Sequence, residues 1–408
     1  MRFSAALLTL TASVPPAHAS MLQPPSIGGR DTGLSGNAVA APSDAPSILS
    51  HNAAGVVGQP GTVVSAGLIG ATLTGRYRHA VIGYDQKSSE TPFAPVLWVS
   101  SDRLAPWYVG AGLYGTVGSS FNFAAQPSAG IPERFLAELG LIQAGFVIGR
   151  EIVPGLRLGV QAAPAWGRIR MRAPSPLGAV HFDIDGFGIS GATGLLYDLS
   201  QQITLGLSYR SPGVVYLRGD GAVADEDEDV SINLHTPQSA GVGIAHRPTR
   251  RLLVTAQAIW TDYPNFENGV FRFERYPLLN RQFISDARHT VRYGIGLEYE
   301  ITEWLRMQTG FTREGWMMEA SSLSPLLYDT TDTGFGVGLG IVHDRWTIYV
   351  NTGIALMEDR LVSTADQLLF PGRYELESSP GVSVAVAYRF PTAAAQSVAP
   401  SVRQPLPR

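Results

Sequence analysis

The stretch H-T-V-R-Y-G-I-G-L-E-Y-E-I-T-E-W-L-R-M-Q-T-G-F, residues 289–311, decides how this chain folds. Val291, Tyr293, Ile295, Leu297 and Tyr299 fall on one side of a period of two, and Arg292, Gly294, Gly296, Glu298 and Glu300 on the other. Successive side chains of an extended strand point to opposite faces, so this is a strand with one apolar face and one face of glycines and charges. A soluble sandwich also alternates, between its core and water. Here the apolar face tends to end on Tyr, Trp or Phe, as at a membrane interface, and the other face is filled as a polar lumen is filled. After a turn near Thr302, a second strand follows.

The same period recurs away from this point. Val382, Val384, Val386, Tyr388 and Phe390 alternate with Ser383, Ala385, Ala387 and Arg389, and I-T-L-G-L-S-Y-R from Ile203 repeats the pattern. Fourteen strands are expected, at about 61–79, 94–102, 106–117, 138–150, 156–172, 182–199, 202–217, 237–247, 251–273, 286–301, 303–315, 333–343, 345–360 and 376–390. The connections alternate in length. Long ones fall at 80–93, 118–137, 173–181, 218–236, 274–285, 316–332 and 361–375, and short ones near Asp102, Glu151–Gly155, Ser200, Pro248–Arg250, Thr302 and Asp344. Short periplasmic turns opposite long outer loops, with an even strand number, are the pattern of a single-chain bacterial barrel. The fold class expected is all-β: a 14-stranded antiparallel transmembrane β-barrel over 61–390.

Composition agrees. Charged residues make up 16% of the 408, against roughly 25% in soluble globular chains. No unbroken apolar run reaches the 18 to 20 residues of a membrane helix, and a closed barrel is the other spanning structure that pairs every backbone group. The net charge of −4 gives no reason to expect nucleic acid as a partner. The absence of cysteine excludes zinc ribbons, disulfide scaffolds and thiol catalysis. Arg2, the apolar stretch Phe3–Val14 and Ala17-His18-Ala19 read as a signal peptide over 1–19, cleaved before Ser20, in a Gram-negative chain bound for the outer membrane.

Residues 20–60 do not alternate and are rich in Gly, Ser, Ala, Asn and Pro. Composition alone favours a flexible linker; the competing reading is a plug inside the barrel, with Arg30, Asp31, Asp44 and Asn52 bonded to lumen side chains. Residues 391–408 are Pro-, Ala- and Ser-rich and read as a disordered tail.

G-G-R-D-T-G-L-S-G-N-A-V-A (28–40), H-N-A-A-G (51–55), L-G-L-S-Y-R-S-P (205–212), A-I-W-T-D-Y-P-N-F (258–266) and the stretch 289–311 occur in the order and spacing of one family. Through them the chain resembles the FadL-type outer-membrane transporters of long-chain fatty acids and aromatic hydrocarbons, from about residue 26 to Phe390. It departs at Ala53, where the family motif has Pro after Asn. The resemblance implies 14 strands and an N-terminal hatch over 20–60, with Gly28, Gly33, Gly36 and Asn52 among its motif residues. It also implies passive uptake of hydrophobic compounds, most of all long-chain fatty acids, through a lumen pocket and a lateral gap in the wall.

A fatty acid needs apolar lining for its chain, worth roughly 0.8 kcal/mol per buried methylene, and a cation or amides for its carboxylate. Arg210 and Arg292, on the polar faces of their strands, and Arg30 are the head-group candidates; a salt-bridge ladder with Glu298, Asp262 or Asp286 is the alternative. Trp260 and Phe266 are candidates for the pocket lining, or else girdle and packing residues. Gly110, Gly112 and Gly115 in P-W-Y-V-G-A-G-L-Y-G-T-V-G mark a kink at the lateral gap, or else relieve crowding beside the hatch. D-E-D-E-D (225–229) reads as a solvated outer loop or a divalent-cation site, and 131–139 as a short helix or the start of a strand. Partners expected are hydrophobic small molecules, outer-membrane lipid and lipopolysaccharide, and the barrel-assembly machinery; no cofactor or metal is expected. The alternatives are a non-transporting structural or adhesion barrel and, with Ser285, Asp286 and His289 close in sequence, an outer-membrane hydrolase; no enzymatic activity is expected.

Overall fold

The computed structural model describes residues 26–378 and 380–390, so the expected signal peptide and the tail lie outside the described residues. Fourteen strands form the wall. They are β1 (Thr62–Gly70, continued by Leu73–His79), β2 (Asp85–Glu90 and Phe93–Ser101), β3 (Trp107–Phe123), β4 (Phe135–Val153), β5 (Leu156–Ser175), β6 (Gly178–Asp198) and β7 (Ile203–Arg210 and Gly213–Val223). The second half comprises β8 (Glu226–Thr236 and Ser239–His246), β9 (Leu252–Thr261), β10 (Thr290–Glu300), β11 (Leu305–Glu314), β12 (Asp332–His343), β13 (Trp346–Met357) and β14 (Gly372–Ser378 and Gly381–Phe390). A short strand, Val270–Phe273, extends the β9 side outward and pairs with β8.

Each strand is antiparallel to its neighbours, and β1 closes on β14 from Thr62 opposite Phe390 to Gly70 opposite Val382. Closure leaves neither the first nor the last strand as a free edge for lipid to meet. The alternation read from the sequence sorts the two faces. Val64, Leu68, Leu207, Ile295, Val337 and Val384 are exposed on the outside, whereas Gln143, Gln161, Thr255, Arg292, Gln308 and Asn351 are buried on the inside. No helix among the described residues is long and apolar enough to cross a membrane.

Three expected outer loops are instead paired strands. The connection expected over 80–93 shrinks to 80–84, that over 173–181 to Pro176 and Leu177, and that over 218–236 to Ala224 and Asp225. Ala224 and Asp225 have φ of 50° and 70°, and two central residues with positive φ give the tight turn whose twist matches a hairpin. Above the lipid a strand's outer face meets water, so the apolar half of the signal disappears although the pairing continues. D-E-D-E-D therefore spans this turn and the start of β8. Residues 131–139 hold no helix, and β4 begins at Phe135.

Residues 26–60 pass through the lumen and are almost wholly buried up to Pro42. They form two short helices, α1 (Arg30–Gly33) and α2 (Ala45–Ser50), and a 3-10 turn at Ala53–Val56. Asp44 caps α2 by accepting from the Ser47 amide. Composition favoured a linker here because small polar residues cannot build a core of their own. They suffice inside a barrel, whose wall supplies the partners.

Two asparagines attach the segment to the wall. Asn37 Nδ2 donates to the carbonyls of Ile295 (3.2 Å) and Phe311 (2.9 Å), which face each other across β10 and β11. Asn52 Nδ2 donates in the same way to Leu195 and Leu207, both at 3.2 Å, across β6 and β7. The wall makes room with inward glycines. A Cβ on Gly159 would stand 2.4 Å from the Ala53 carbonyl carbon, and one on Gly310 would stand 2.1 Å from the Leu34 oxygen.

Candidate functional site

The outer half of the lumen is apolar. Segments 262–289 and 315–331 fold inward and bury Tyr263, Phe266, Phe271, Met317, Leu326 and Tyr328 against Phe121, Phe123, Phe135 and Phe182 of the wall. Within this mass lies a cavity of about 410 Å³ lined by Leu139, Ile169, Met171, Phe271, Phe283 and Leu326, with Arg281 among them. The Arg281 guanidinium has Met171 Sδ as a neighbour at 3.5 Å, and no carboxylate of the described residues pairs with it. The one acid in the lining, Glu138, is held by Arg170 at 3.1 Å, so the exposed Arg281 guanidinium is left to accept an anion from outside the protein.

A smaller cavity, about 80 Å³, lies deeper, against the N-terminal segment, where Ile48, Leu49, Tyr114, Ile259, Arg210 and Arg292 meet. Inward alternation on β7 brings Arg210 there. Its Nη2 donates to the Leu49 carbonyl at 2.8 Å and to the Ser50 carbonyl at 3.4 Å, at the C-terminus of α2. Helix ends leave carbonyls without intrahelical partners, so Arg210 closes α2 as well as lining the cavity. Arg292 is buried on β10, with Nε 3.6 Å from Glu314 Oε2. Its Nε and Nη1 have no hydrogen-bond partner. His51 and Asp31 pair at 3.0 Å nearby.

The wall's hydrogen-bond ladder is interrupted beside this second cavity. β2 and β3 pair only from Leu97 opposite Leu113 to Ser101 opposite Val109. Beyond that, β3 breaks register between Gly115 and Val117, and Thr116 at the break lines the cavity. Higher up, the two strands are bridged by the Asn122 amide donating to Ser88 Oγ at 2.8 Å. Between these points the sheet hydrogen bonds are missing.

Of the residues singled out in the sequence, Arg210 and Arg292 come together at the inner cavity and Gly115 sits at the break. Arg30, Trp260, Phe266, Gly110 and Gly112 are placed differently. Arg30 Nε donates to Glu298 Oε2 at 2.6 Å and Nη1 to the Ala41 carbonyl. Burial opposes its charge, but Glu298 outweighs burial and the Arg30 pKa is raised, so this cation is already neutralised. Trp260 lines neither of these cavities: it follows inward-facing Ile259, turns outward, and stacks on His289 with ring centroids 5.4 Å apart. Phe266 is buried behind the outer cavity, 5.7 Å from the Phe283 ring that lines it. Gly110 and Gly112 produce no kink; they clear space for Trp98 and, at Gly112, for Leu49. Gly28, Gly33 and Gly36 lie in the buried N-terminal segment, with Gly33 packed against Gln308 and Asn351. Ser285, Asp286 and His289 do not converge: Ser285 bonds Ser322, Asp286 accepts from Ser321, and His289 faces Asp262.

The outer cavity was missed because 274–285 has no period to read. The one available signal was a lone Arg281 within an aromatic-bearing loop, Y-P-L-L-N-R-Q-F.

A closed, membrane-spanning β-barrel with a buried N-terminal segment and an apolar outer chamber is a channel scaffold for molecules that avoid water. The family described as outer membrane protein transport protein (OMPP1/FadL/TodX) matches residues 153–390. That is more than half of the chain, which therefore belongs to this family of outer-membrane channels for hydrophobic compounds. Solved structures agree in fold. A Pseudomonas aeruginosa FadL homologue superposes with a TM-score of 0.79 at 14% identity, covering 90% of this chain and 99% of its own. The Pseudomonas putida toluene transporter TodX gives 0.74 at 18% identity, covering 90% and 99%. The Ralstonia pickettii toluene transporter TbuX gives 0.71 at 17%, covering 89% and 98%. No curated protein sequence matches the chain.

Proposed function

We propose that this barrel takes up hydrophobic compounds that carry one anionic head group, with long-chain fatty acids as the best fit. Arg281 carries this reading. A guanidinium without a carboxylate partner, set among Leu139, Met171, Phe271 and Phe283, suits a carboxylate with a greasy tail; a bare hydrocarbon has no use for it. The molecule enters the outer cavity, with chain burial as the driving force. It then passes to the inner cavity, where Arg210 and Arg292 receive the head group. Arg210 must give up the Leu49 and Ser50 carbonyls to do so, which loosens the end of α2 and lets residues 26–60 act as a hatch. The missing hydrogen bonds between β2 and β3 beside Thr116 offer a sideways exit into the lipid. No nucleotide or ion gradient is required.

A second reading, monoaromatic hydrocarbon uptake, is favoured by the Phe271, Phe283 and Phe370 rings in the lining. Titration of the purified barrel with oleate and with toluene separates the two. Arg281→Ala is expected to weaken oleate binding about tenfold, the loss of one charge-assisted hydrogen bond, and to leave toluene binding unchanged. Equal oleate affinity in the variant removes the anionic-substrate reading and leaves the hydrocarbon one.

A further inference from the structure

The outer wall of β5 to β9 carries a charge arrangement that transport does not use. Trp166 on β5, Phe187 on β6 and Tyr216 on β7 are direct cross-strand neighbours. They point away from the lumen, with Phe187 73% and Tyr216 56% exposed. Trp166 lies ten residues beyond Leu156, the periplasmic start of β5. At roughly 3.3 Å per residue and a tilt of about 40°, that is about 25 Å, the height of a barrel's apolar band. The three rings therefore mark the outer membrane interface.

The next outward row, two residues further along each strand, reads Arg168, Asp185, Arg218, Ser231 and Arg272 across five adjacent segments. Arg168 is held by Asp183, with Nε 2.7 Å from Oδ1. Arg218 and Arg272 are exposed, and neither pairs with a carboxylate among the described residues. They stand two strands apart, roughly 10 Å at the usual sheet spacing. The row above is acidic: Asp183, Asp220 and Asp229 face one another directly across β6, β7 and β8. Asp183 is held by Arg168 and by Arg170 in its own row, whereas Asp220 and Asp229 face each other as like charges and repel.

We propose that Arg218 and Arg272 dock the phosphates of lipid A, the anchor of lipopolysaccharide, in the outer leaflet. The acyl chains lie below, on Ile189, Val214 and the aromatic row, and the guanidinium forks meet phosphate oxygens at the sugar level. Two observations identify the occupant. The unpaired cations sit immediately above an apolar band already in contact with lipid, and they form a pair, as a diphosphorylated headgroup requires.

Native mass spectrometry of the purified full-length barrel, titrated with diphosphorylated lipid A, monophosphorylated lipid A or phosphatidylglycerol, tests this. Retention is expected in the order diphosphoryl, monophosphoryl, phosphatidylglycerol. Removing either arginine (Arg218→Ala or Arg272→Ala) should weaken diphosphoryl lipid A by about tenfold, the equivalent of one net charge-assisted hydrogen bond. The Arg218→Lys and Arg272→Lys pair should retain most of the affinity, since the charge persists. Arg103→Ala, on the periplasmic rim, should change nothing. Both Ala variants leave the lumen untouched, and the shift between heated and unheated samples on a gel confirms that they fold. Unchanged lipid A retention in the double Ala variant, or phosphatidylglycerol binding as tight as diphosphoryl lipid A, overturns the proposal.

Discussion

Alanine at Gly310 should unseat the N-terminal segment without opening the barrel. The added Cβ would lie 2.1 Å from the Leu34 oxygen and 2.2 Å from its carbon. Both are backbone atoms, flanked by Ser35, which bonds Thr312 at 3.1 Å. Neither side can yield by turning a rotamer, so the segment must shift. Overpacking of this kind costs about 1–3 kcal/mol. Gly159→Ala imposes a matching clash at Ala53, on the other side of the lumen. The two sites share no partner, so together the substitutions should cost about 2–6 kcal/mol by simple addition. The control is Gly191→Ala, whose Cβ would meet nothing closer than 3.4 Å. Hydrogen exchange followed by mass spectrometry reads the outcome. A loss of about 2 kcal/mol speeds exchange of residues 30–57 roughly 30-fold. The β1–β14 seam should keep its protection, and the heat-dependent gel shift should persist. If Gly310→Ala exchanges no faster than Gly191→Ala, the close approach of segment and wall is not what holds the segment.

Three further outcomes follow from the same contacts. Asn52→Asp replaces a donor to three carbonyls, those of Val39, Leu195 and Leu207, with a carboxylate. It should raise exchange of the 3-10 turn more than Asn52→Ala does, and equal effects would mean that the three bonds carry little. Burial, followed by the neighbouring Asp31, pushes the Asp44 carboxyl up to about 6. An acid with a raised folded-state pKa binds its proton more tightly in the folded form, so stability falls as pH rises from about 4 to about 6 and stays lower above that. Asp44→Asn keeps a good helix cap and should flatten this dependence, raising protection of α2 at pH 7.5 but not at pH 4; a variant that still loses protection between pH 4 and 6 places the titrating group elsewhere. Phe283→Ala should weaken oleate and toluene binding alike by enlarging the outer cavity, whereas Trp260→Ala should alter neither. The reverse ranking would put the pocket at the girdle.

The wall was legible because lipid and lumen impose opposite demands on alternate residues. Val291 to Tyr299 show that directly, and the closure of Thr62 on Phe390 follows from an even number of such strands. Where the outer demand lapses, above the lipid, the signal lapses with it, and the hairpin at Ala224–Asp225 read as an acidic loop. Gly159, Gly194 and Gly310 carry no signal of their own in the sequence, yet each is a footprint of the segment packed on it. Arg210 and Arg292 were chosen by face, and both line the inner cavity. Arg30 was chosen for its place in the N-terminal segment, and position in the chain says nothing about partners: Glu298 already claims it. The outer cavity is built from loop residues that meet only after folding, and no local pattern announces Phe271, Phe283 or Arg281 as neighbours.

The central claim, that an anionic amphiphile occupies the outer cavity with its head at Arg281, is tested most directly by crystals grown with a fatty acid brominated near its carboxylate. The account predicts an anomalous bromine peak inside the barrel, between Arg281 and the Phe283 ring, that vanishes in Arg281→Ala. Bromine found only on the lipid-facing wall, or at an unchanged position in the variant, contradicts it.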